Sequence, residues 1–281
     1  MLWGVTDERT AGPGGGPEAD STAIDTSVPH SARIWNYWLG GTDNYPVDRA
    51  AGDEYVAVFP GILDVARAQR GFLSRSVAWL AGPAGIRQFL DVGSGLPAAD
   101  NTHQVAQRVA PGARIVYVDN DPLVLAQARA LLTSTPEGAS AYLEASLTDA
   151  GQIMAGAAAT LDLTRPVALI LNGVLGHVAD TGAARSIVRS LLGPLPSGSY
   201  LDLADGTRYT SAEAFEEAQE GYNETGAVPY ALRTPAEIAS FFEGLELVEP
   251  GVVSCPRWRP DPAPGGPPAE LDVFGGVGRK R

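Results

Sequence analysis

The middle of the chain alternates short apolar runs with amphipathic stretches. Residues 88–92, 115–118, 141–145, 167–171 and 199–204 each have the length of one strand. Val167-Ala168-Leu169-Ile170-Leu171 is apolar throughout, as befits a strand covered on both faces of a parallel sheet. Between these runs, apolar residues recur at helical spacing over 98–109, 122–132 and 181–192, with Pro97 and Pro122 suited to a first helical turn. A short helix opens at Thr234-Pro235-Ala236-Glu237, and 245–253 with 271–277 read as a closing hairpin. Strands alternating with helices predict an α/β domain whose mostly parallel sheet carries helices on both faces.

Ahead of this domain the pattern changes. Residues 1–27 gather Gly12, Pro13, Gly14, Gly15, Gly16 and Pro17 among small and acidic residues. Such a segment buries too little apolar surface to order itself and is expected to be a flexible leader. Residues 28–82 are expected to form a helical cap. Ser31-Ala32-Arg33-Ile34-Trp35-Asn36-Tyr37-Trp38-Leu39 reads as an aromatic-rich helix stopped by Gly40-Gly41. Thr42-Asp43-Asn44-Tyr45-Pro46 reads as a turn, and 62–80 as a helix bearing Arg67, Arg70 and Arg75. The α/β domain then spans 83–281, with a polar insertion at 210–230 on the substrate side.

The most specific pattern lies where the first strand ends. Asp91-Val92-Gly93-Ser94-Gly95-Leu96-Pro97 is a strand running into a glycine turn, and Val116-Tyr117-Val118-Asp119-Asn120-Asp121 is a strand tipped by acid. Strand, glycine turn, helix and acid-tipped strand make a nucleotide-binding βαβ unit. Gly93 and Gly95 let the backbone turn sharply and admit a ligand where a Cβ would obstruct it. Asp119 stands where a carboxylate accepts hydrogen bonds from ribose hydroxyls. Gly93-x-Gly95-x-x-Ala98 by itself fits a dinucleotide fingerprint. Asp91, however, takes a place that is usually apolar in such sites, and its carboxylate suits a ligand with a cationic end. S-adenosylmethionine has such an end in its amino and sulfonium groups.

Charge and composition remove whole classes. A net charge of −13 without a basic run argues against a nucleic-acid partner. Lys280 is the sole lysine, which excludes a phosphate-loop lysine, an internal Schiff-base lysine and the Tyr-x-x-x-Lys pair of short-chain dehydrogenases. Cys255 alone makes neither an intrachain disulfide nor a multi-thiolate zinc site, and His30, His103 and His177 leave little for a metal. No run approaches the ~20 apolar residues of a membrane span and no secretory signal opens the chain, so it reads as cytoplasmic, without a membrane partner.

At these residues the chain resembles the class I S-adenosylmethionine-dependent methyltransferases, and more closely an actinobacterial S-adenosyl methyltransferase family formerly known as a domain of unknown function. The resemblance rests on Ala32-Arg33-Ile34-Trp35-Asn36-Tyr37, Leu39-Gly40-Gly41-Thr42-Asp43-Asn44 and Arg70-Gly71-Phe72-Leu73. It continues through Phe89-Leu90-Asp91-Val92-Gly93-Ser94-Gly95-Leu96-Pro97, Asn101-Thr102-His103, Tyr117-Val118-Asp119-Asn120-Asp121-Pro122 and Trp258-Arg259-Pro260. It implies a Rossmann-like seven-stranded sheet with one antiparallel strand, S-adenosylmethionine as cofactor and methyl transfer as the activity. It implies that Gly93, Ser94 and Gly95 line the methionine end with Asp91 nearby, that Asp119 holds the ribose, and that Asn120, Ser146 and Leu147 flank the adenine. Asn172 would face the reacting centre. Ser146 departs from the pattern, which tends to have Asp there.

Methyl transfer to a weakly acidic nucleophile needs a base, and His103, His177 and Tyr37 are the candidates, with Tyr45 and Glu213 also open. In the cap, Tyr37, Asp43, Asn44 and Tyr45 are expected to act as a lid and substrate wall around a Gly40-Gly41 hinge, with Arg70 on the methionine carboxylate. The acidic balance and aromatic cap favour a small-molecule substrate, uncharged or cationic, aromatic or a secondary metabolite. An NAD-dependent oxidoreductase on the same βαβ unit, and a non-catalytic protein that binds S-adenosylmethionine, stand as the alternatives.

Overall fold

The computed structural model describes residues 25–131, 133–262 and 264–281; the leader expected over 1–27 therefore lies, up to residue 24, outside the described residues. Five parallel strands make the body of one sheet: β1 (Gln88–Val92), β2 (Arg114–Asp119), β3 (Ala139–Glu144), β4 (Ala168–Asn172) and β5 (Tyr200–Gly206). Two short strands, β6 (Glu246–Leu247) and β7 (Val253–Ser254), pair with different parts of β8 (Val273–Arg279), which itself runs antiparallel along the whole of β5. Between β6 and β7 the chain bulges outward, although Val248 N still donates to Val277 O at 2.9 Å. The two are halves of one edge strand. The sheet order is β3-β2-β1-β4-β5-β8-β6, the seven-position arrangement with one antiparallel strand that the resemblance implies.

Alternation along the strands sorts side chains into two cores. Phe89, Ile115, Tyr117 and Ile170 face one; Leu90, Val116, Val118 and Leu171 face the other. The second core is closed by α6 (Ala150–Ala157), α7 (Thr181–Leu192) and α9 (Pro235–Ser240), while α5 (Pro122–Leu131) packs against β2 and β3. The first is closed by α3 (Ile62–Ala81), α4 (Thr102–Val109) and α8 (Ala212–Asn223), and it extends without a break into α1 (Ser31–Trp38) and α2 (Pro46–Val58). Phe72, Val77 and Leu80 of α3 are wholly buried there, each burial stabilising by about 1.5–3 kcal/mol. Ser76 on the same helix donates to Asp202 of β5 at 2.5 Å. The boundary expected at residue 82 thus falls inside one continuous core. No helix among the described residues is long and apolar enough to cross a membrane.

Four elements depart from the sequence reading, one of them α6, for which no helix was expected. The helix expected from residue 98 begins at Thr102, because Asn101 caps it: Asn101 and Gln104 exchange side-chain and backbone bonds, and Asp100 turns left-handed at φ 57°. The 13-residue α2 was not anticipated; Pro46 opens it, and Asp48 in its first turn reaches back to accept from Tyr45 N at 2.8 Å. The polar insertion is the amphipathic α8, which buries Phe215, Ala218, Gln219 and Tyr222 at one-face helical spacing.

The cap is fastened by a buried ion pair. Arg33 Nε lies 3.1 Å from Asp48, with the two side chains 4% and 0% exposed. Asp48 also accepts from the backbone N–H of His30 and Tyr45, at 2.9 and 2.8 Å. Removing one partner strands a charge in the interior, whereas an apolar pair of similar volume does not. Asp48→Ala is expected to lower unfolding free energy by about 3–5 kcal/mol, and the Arg33→Met/Asp48→Leu double variant by less. Urea unfolding followed by circular dichroism checks the difference.

Candidate functional site

A cavity of about 370 Å³ opens at the C-terminal ends of β1, β2 and β4, within the range of small-molecule sites. β1 ends at Val92 and the chain turns through Gly93 and Gly95, at φ 75° and 65°. Gly93 N and Ser94 N both donate to Val118 O on β2, at 2.8 and 3.3 Å. The two glycines serve different ends. A Cβ on Gly93 would lie 2.4 Å from Val174, so packing demands that glycine; a Cβ on Gly95 would meet nothing within 4 Å, because it faces the cavity.

Asp119 ends β2 beside this turn. Its Oδ2 accepts from Gly95 N at 2.9 Å and its Oδ1 from Asp121 N at 3.0 Å. Burial raises its pKa, and those two N–H donors hold the rise back. Asp91 is buried on β1, and burial lifts its pKa to about 6 despite a 2.6 Å bond from Thr102 Oγ1 and the nearby Arg70. Arg70 donates from Nε and Nη2 to Ala99 O, at 3.0 and 2.8 Å, and from Nη2 to Asn101. Its Nη1 has no partner among the described residues.

The far end of the cavity is aromatic. Trp35 and Trp38 from α1, Tyr55 from α2, Phe215 and Tyr222 from α8, and Tyr230 wall it, with Gln69, Gln219 and His177 as polar points. His177 sits in a short 3-10 turn after β4, its Nδ1 3.0 Å from Pro229 O and its ring edge-on to Tyr230 at 5.1 Å. Burial lowers its pKa. Asn172 ends β4 on the cavity wall; its Oδ1 is buried and has no partner among the described residues.

The sheet order, the glycine turn and the acid at the tip of β2 define a class I methyltransferase fold, and the comparisons with known proteins agree. The chain covers 89% of its length on mitomycin 7-O-methyltransferase MmcR, which covers 68% of that protein, at a TM-score of 0.50 and 17% identity, a likeness of fold. A protein of the DUF574 family from Streptomyces avermitilis is 47% identical, with 92% of this chain and 100% of that one covered and a TM-score of 0.88. A candidate methyltransferase from Thermobifida fusca is 39% identical, with 92% and 97% covered and a TM-score of 0.83. None of the curated proteins compared matches. The sequence model of the S-adenosyl methyltransferase family matches residues 17–281, and the chain belongs to that family. It is an S-adenosylmethionine-dependent methyltransferase.

The cavity brings together Asp91, Gly93, Ser94, Gly95, Asp119, Asn120, Ser146, Leu147, Asn172, Arg70 and His177. Ser146 sits on the rim with its hydroxyl 2.8 Å from Thr148 Oγ1. Several expected residues stand elsewhere, and for these the expectation is corrected. His103 is buried against Tyr117, whose hydroxyl lies 2.8 Å from both its backbone N and its Nδ1. Tyr37 points away from the cavity and donates to Asp53 at 2.7 Å. Asp43 accepts from Gln127 at 3.2 Å, tying the cap to α5. Asn44 is spent on its own loop, donating to Asn36 and Gly41 and accepting from Arg49. Tyr45 packs on Leu96, Leu123 and Val124 with Arg33 over its ring. Gly41 is required by Asn36, whose side chain a Cβ there would approach to 2.3 Å, whereas Gly40 is left-handed at φ 81° and a Cβ on it would meet nothing within 4 Å. Glu213 is exposed on α8. Trp35, Trp38, Tyr55, Phe215, Tyr222 and Tyr230 were missed; the one-face spacing of 215, 218, 219 and 222 was the available signal for two of them.

Beneath Asn172 lies a further carboxylate. Asp202 is wholly buried on β5, and burial lifts its pKa to about 7 against hydrogen bonds from Ser76 and Asn172. The folded state therefore keeps a proton that the unfolded chain releases from its ordinary value of 3.8. Stability from this group is complete below that value and is lost as pH rises toward 7. Asp202→Asn removes the loss, so its stability relative to the parent is expected to climb between pH 4 and 7, by at most about 1.4 kcal/mol per unit, and to level off above. Urea unfolding across that range checks it.

Proposed function

We propose that this methyltransferase acts on a small-molecule acceptor held in the aromatic chamber, with its cofactor resting on the 93–95 turn. The observation that carries the reading is Gly95, left-handed and open to the cavity beside the carboxylate of Asp119. Each oxygen of that carboxylate accepts one backbone N–H, which leaves lone pairs for the ribose hydroxyls. Asn120 and Leu147 would flank the adenine, while the hydroxyl of Ser146, engaged with Thr148, would touch only its edge. Asp91 suits the cationic end, and Arg70 Nη1 suits the methionine carboxylate. Asn172, with its orphaned oxygen, would face the reacting centre.

When bound, S-adenosylmethionine supplies an electrophilic methyl group on a cationic sulfur. The chain's own residues bind and orient. Trp35, Trp38 and Tyr55 from the cap and Phe215 and Tyr222 from α8 enclose the acceptor and exclude water. The cap would then close the chamber through the inward face of α1, in place of the turn at 42–45.

Two comparisons test the cofactor's place. Gly95→Ala and Gly85→Ala both put a Cβ at a left-handed position, φ 65° and 70°, with nothing within 4 Å. Both should lose roughly 1–2 kcal/mol of stability, but only Gly95→Ala should lose S-adenosylmethionine affinity, by tenfold or more on calorimetry. Equal affinities for the two variants sink the assignment. Asp119→Ala should also weaken binding at least tenfold, since charge-assisted hydrogen bonds contribute about 1.5–3 kcal/mol each.

A further inference from the structure

The charges on the cavity wall are segregated. Arg70, Asp91 and Asp119 all stand around the glycine turn. Around the aromatic chamber the described lining residues include no lysine, arginine or carboxylate; the polar side chains there include Gln69, Gln219 and His177, with His30 and Ser31 at the entry to α1. Its rings form one connected wall: Trp38 meets Tyr55 edge-on at 5.0 Å, and Tyr55 meets Phe215 at 6.4 Å. Gln219 Oε1 is already engaged by the Tyr55 hydroxyl at 3.0 Å, and Gln69 donates to Ala204 O at 3.3 Å. A charged acceptor would lose its hydration here and find no counter-ion. A flat apolar one would keep its surface against rings.

Two imidazoles line the cavity; His30 Nδ1 lies 3.2 Å from Asp121, and His177 stands among the aromatic residues. Pro229 O can only accept, so the His177 Nδ1 facing it at 3.0 Å carries the ring hydrogen and Nε2 carries the lone pair. The ring is held in that pose. It packs edge-on against Tyr230 with the planes at 87°, and the Tyr230 hydroxyl donates to Asp205 while accepting from Gly206 N. No hydrogen bond to Nε2 is made by a described residue.

Resting on the methyl-transfer reading above, we propose that the acceptor is an uncharged, flat aromatic molecule with a phenol-type hydroxyl, and that His177 Nε2 takes the hydroxyl proton. The acceptor O–H bond breaks and its proton goes to Nε2. The oxygen's electron pair forms the bond to the methyl carbon, and the pair of the broken carbon–sulfur bond stays on sulfur, leaving a neutral thioether. A phenol, with a pKa of about 10, gives up its proton to an imidazole far more readily than an aliphatic alcohol does, and its ring suits the aromatic wall.

The test uses the full chain saturated with S-adenosylhomocysteine, with 2-naphthol as probe and 2-naphthoate as its anionic counterpart. Binding of S-adenosylhomocysteine is measured first: its absence would overturn the cofactor reading itself, while its presence isolates the acceptor question. By calorimetry 2-naphthol should bind at least tenfold more tightly than 2-naphthoate; equal or reversed affinity overturns the proposal. In ¹⁵N-histidine spectra at neutral pH, His177, assigned by the signal missing from His177→Gln, should show a protonated Nδ1 and a bare Nε2. The Nε2 resonance should move when 2-naphthol is added. A protonated Nε2, or one indifferent to the naphthol, overturns it. His177→Gln should keep S-adenosylhomocysteine affinity within threefold while losing tenfold or more for 2-naphthol. A loss of both together would make His177 a structural residue, and the spectra of the parent protein stand independently of how that variant folds.

Discussion

The carboxylate of Asp119 joins the parts of the glycine turn. It takes one hydrogen bond from Gly95 N and another from Asp121 N, and so ties the loop after β1 to the loop after β2. Val118 O, one residue earlier, takes Gly93 N and Ser94 N. The turn is thus closed against β2 from both sides, and Val174 after β4 fills the space that a Cβ on Gly93 would need. Three strand ends lock one another. The exposed peptide edge at Gly95 is left in a fixed position, so a ligand arriving there orders little that is not already ordered.

The chamber beyond it is assembled from distant parts of the chain. α1 and α2 bring Trp35, Trp38 and Tyr55, and α8, more than a hundred residues later, brings Phe215 and Tyr222. The Tyr55–Gln219 hydrogen bond and the stacking of Phe59 on Phe215, centroids 4.6 Å apart, hold the two segments together. Arg33 and Asp48 fix the angle between α1 and α2, and with it the direction in which the tryptophans point. Wall and anchor are separate. The anchor is a buried charge pair outside the cavity, so fastening the cap puts no carboxylate or guanidinium among the aromatic rings.

The strands and the glycine turn were legible because continuous apolar runs and an acid-tipped strand leave few other solutions. The start of α4 was not, since Pro97 suits a first helical turn as well as a loop, and only the Asn101–Gln104 capping box decides between them. α8 was hidden by Glu213, Glu216, Glu217 and Glu220, which crowd its outer side and mask the inward face. In the cap, proximity in sequence misled. Helical geometry sends Ile34 and Trp38 inward and Tyr37 outward, so neighbours in the motif part company in space. His103 and His177 were indistinguishable by type. Tertiary packing alone puts one behind Tyr117 and the other on the cavity wall.

Three carboxylates lie deep in the sheet, Asp91 on β1 and Asp202 and Asp205 on β5, and burial raises all three, to about 6, 7 and 6. Each has a hydroxyl partner: Thr102, Ser76 and Tyr230 respectively. A hydroxyl donates to a carboxylate and accepts from a carboxylic acid with equal ease, so any of the three can change protonation without orphaning its partner. Of the three, Asp91 lines the cavity, and the charge on Asp119 is among the causes that raise it. A cation brought to the glycine turn would oppose that repulsion and favour the ionised form of Asp91. On the function proposed above, the cationic cofactor would draw charge onto Asp91 as it binds. Its neutral thioether product would let the proton return, so the turn would hold the reactant more firmly than the product by the charge that methyl transfer removes.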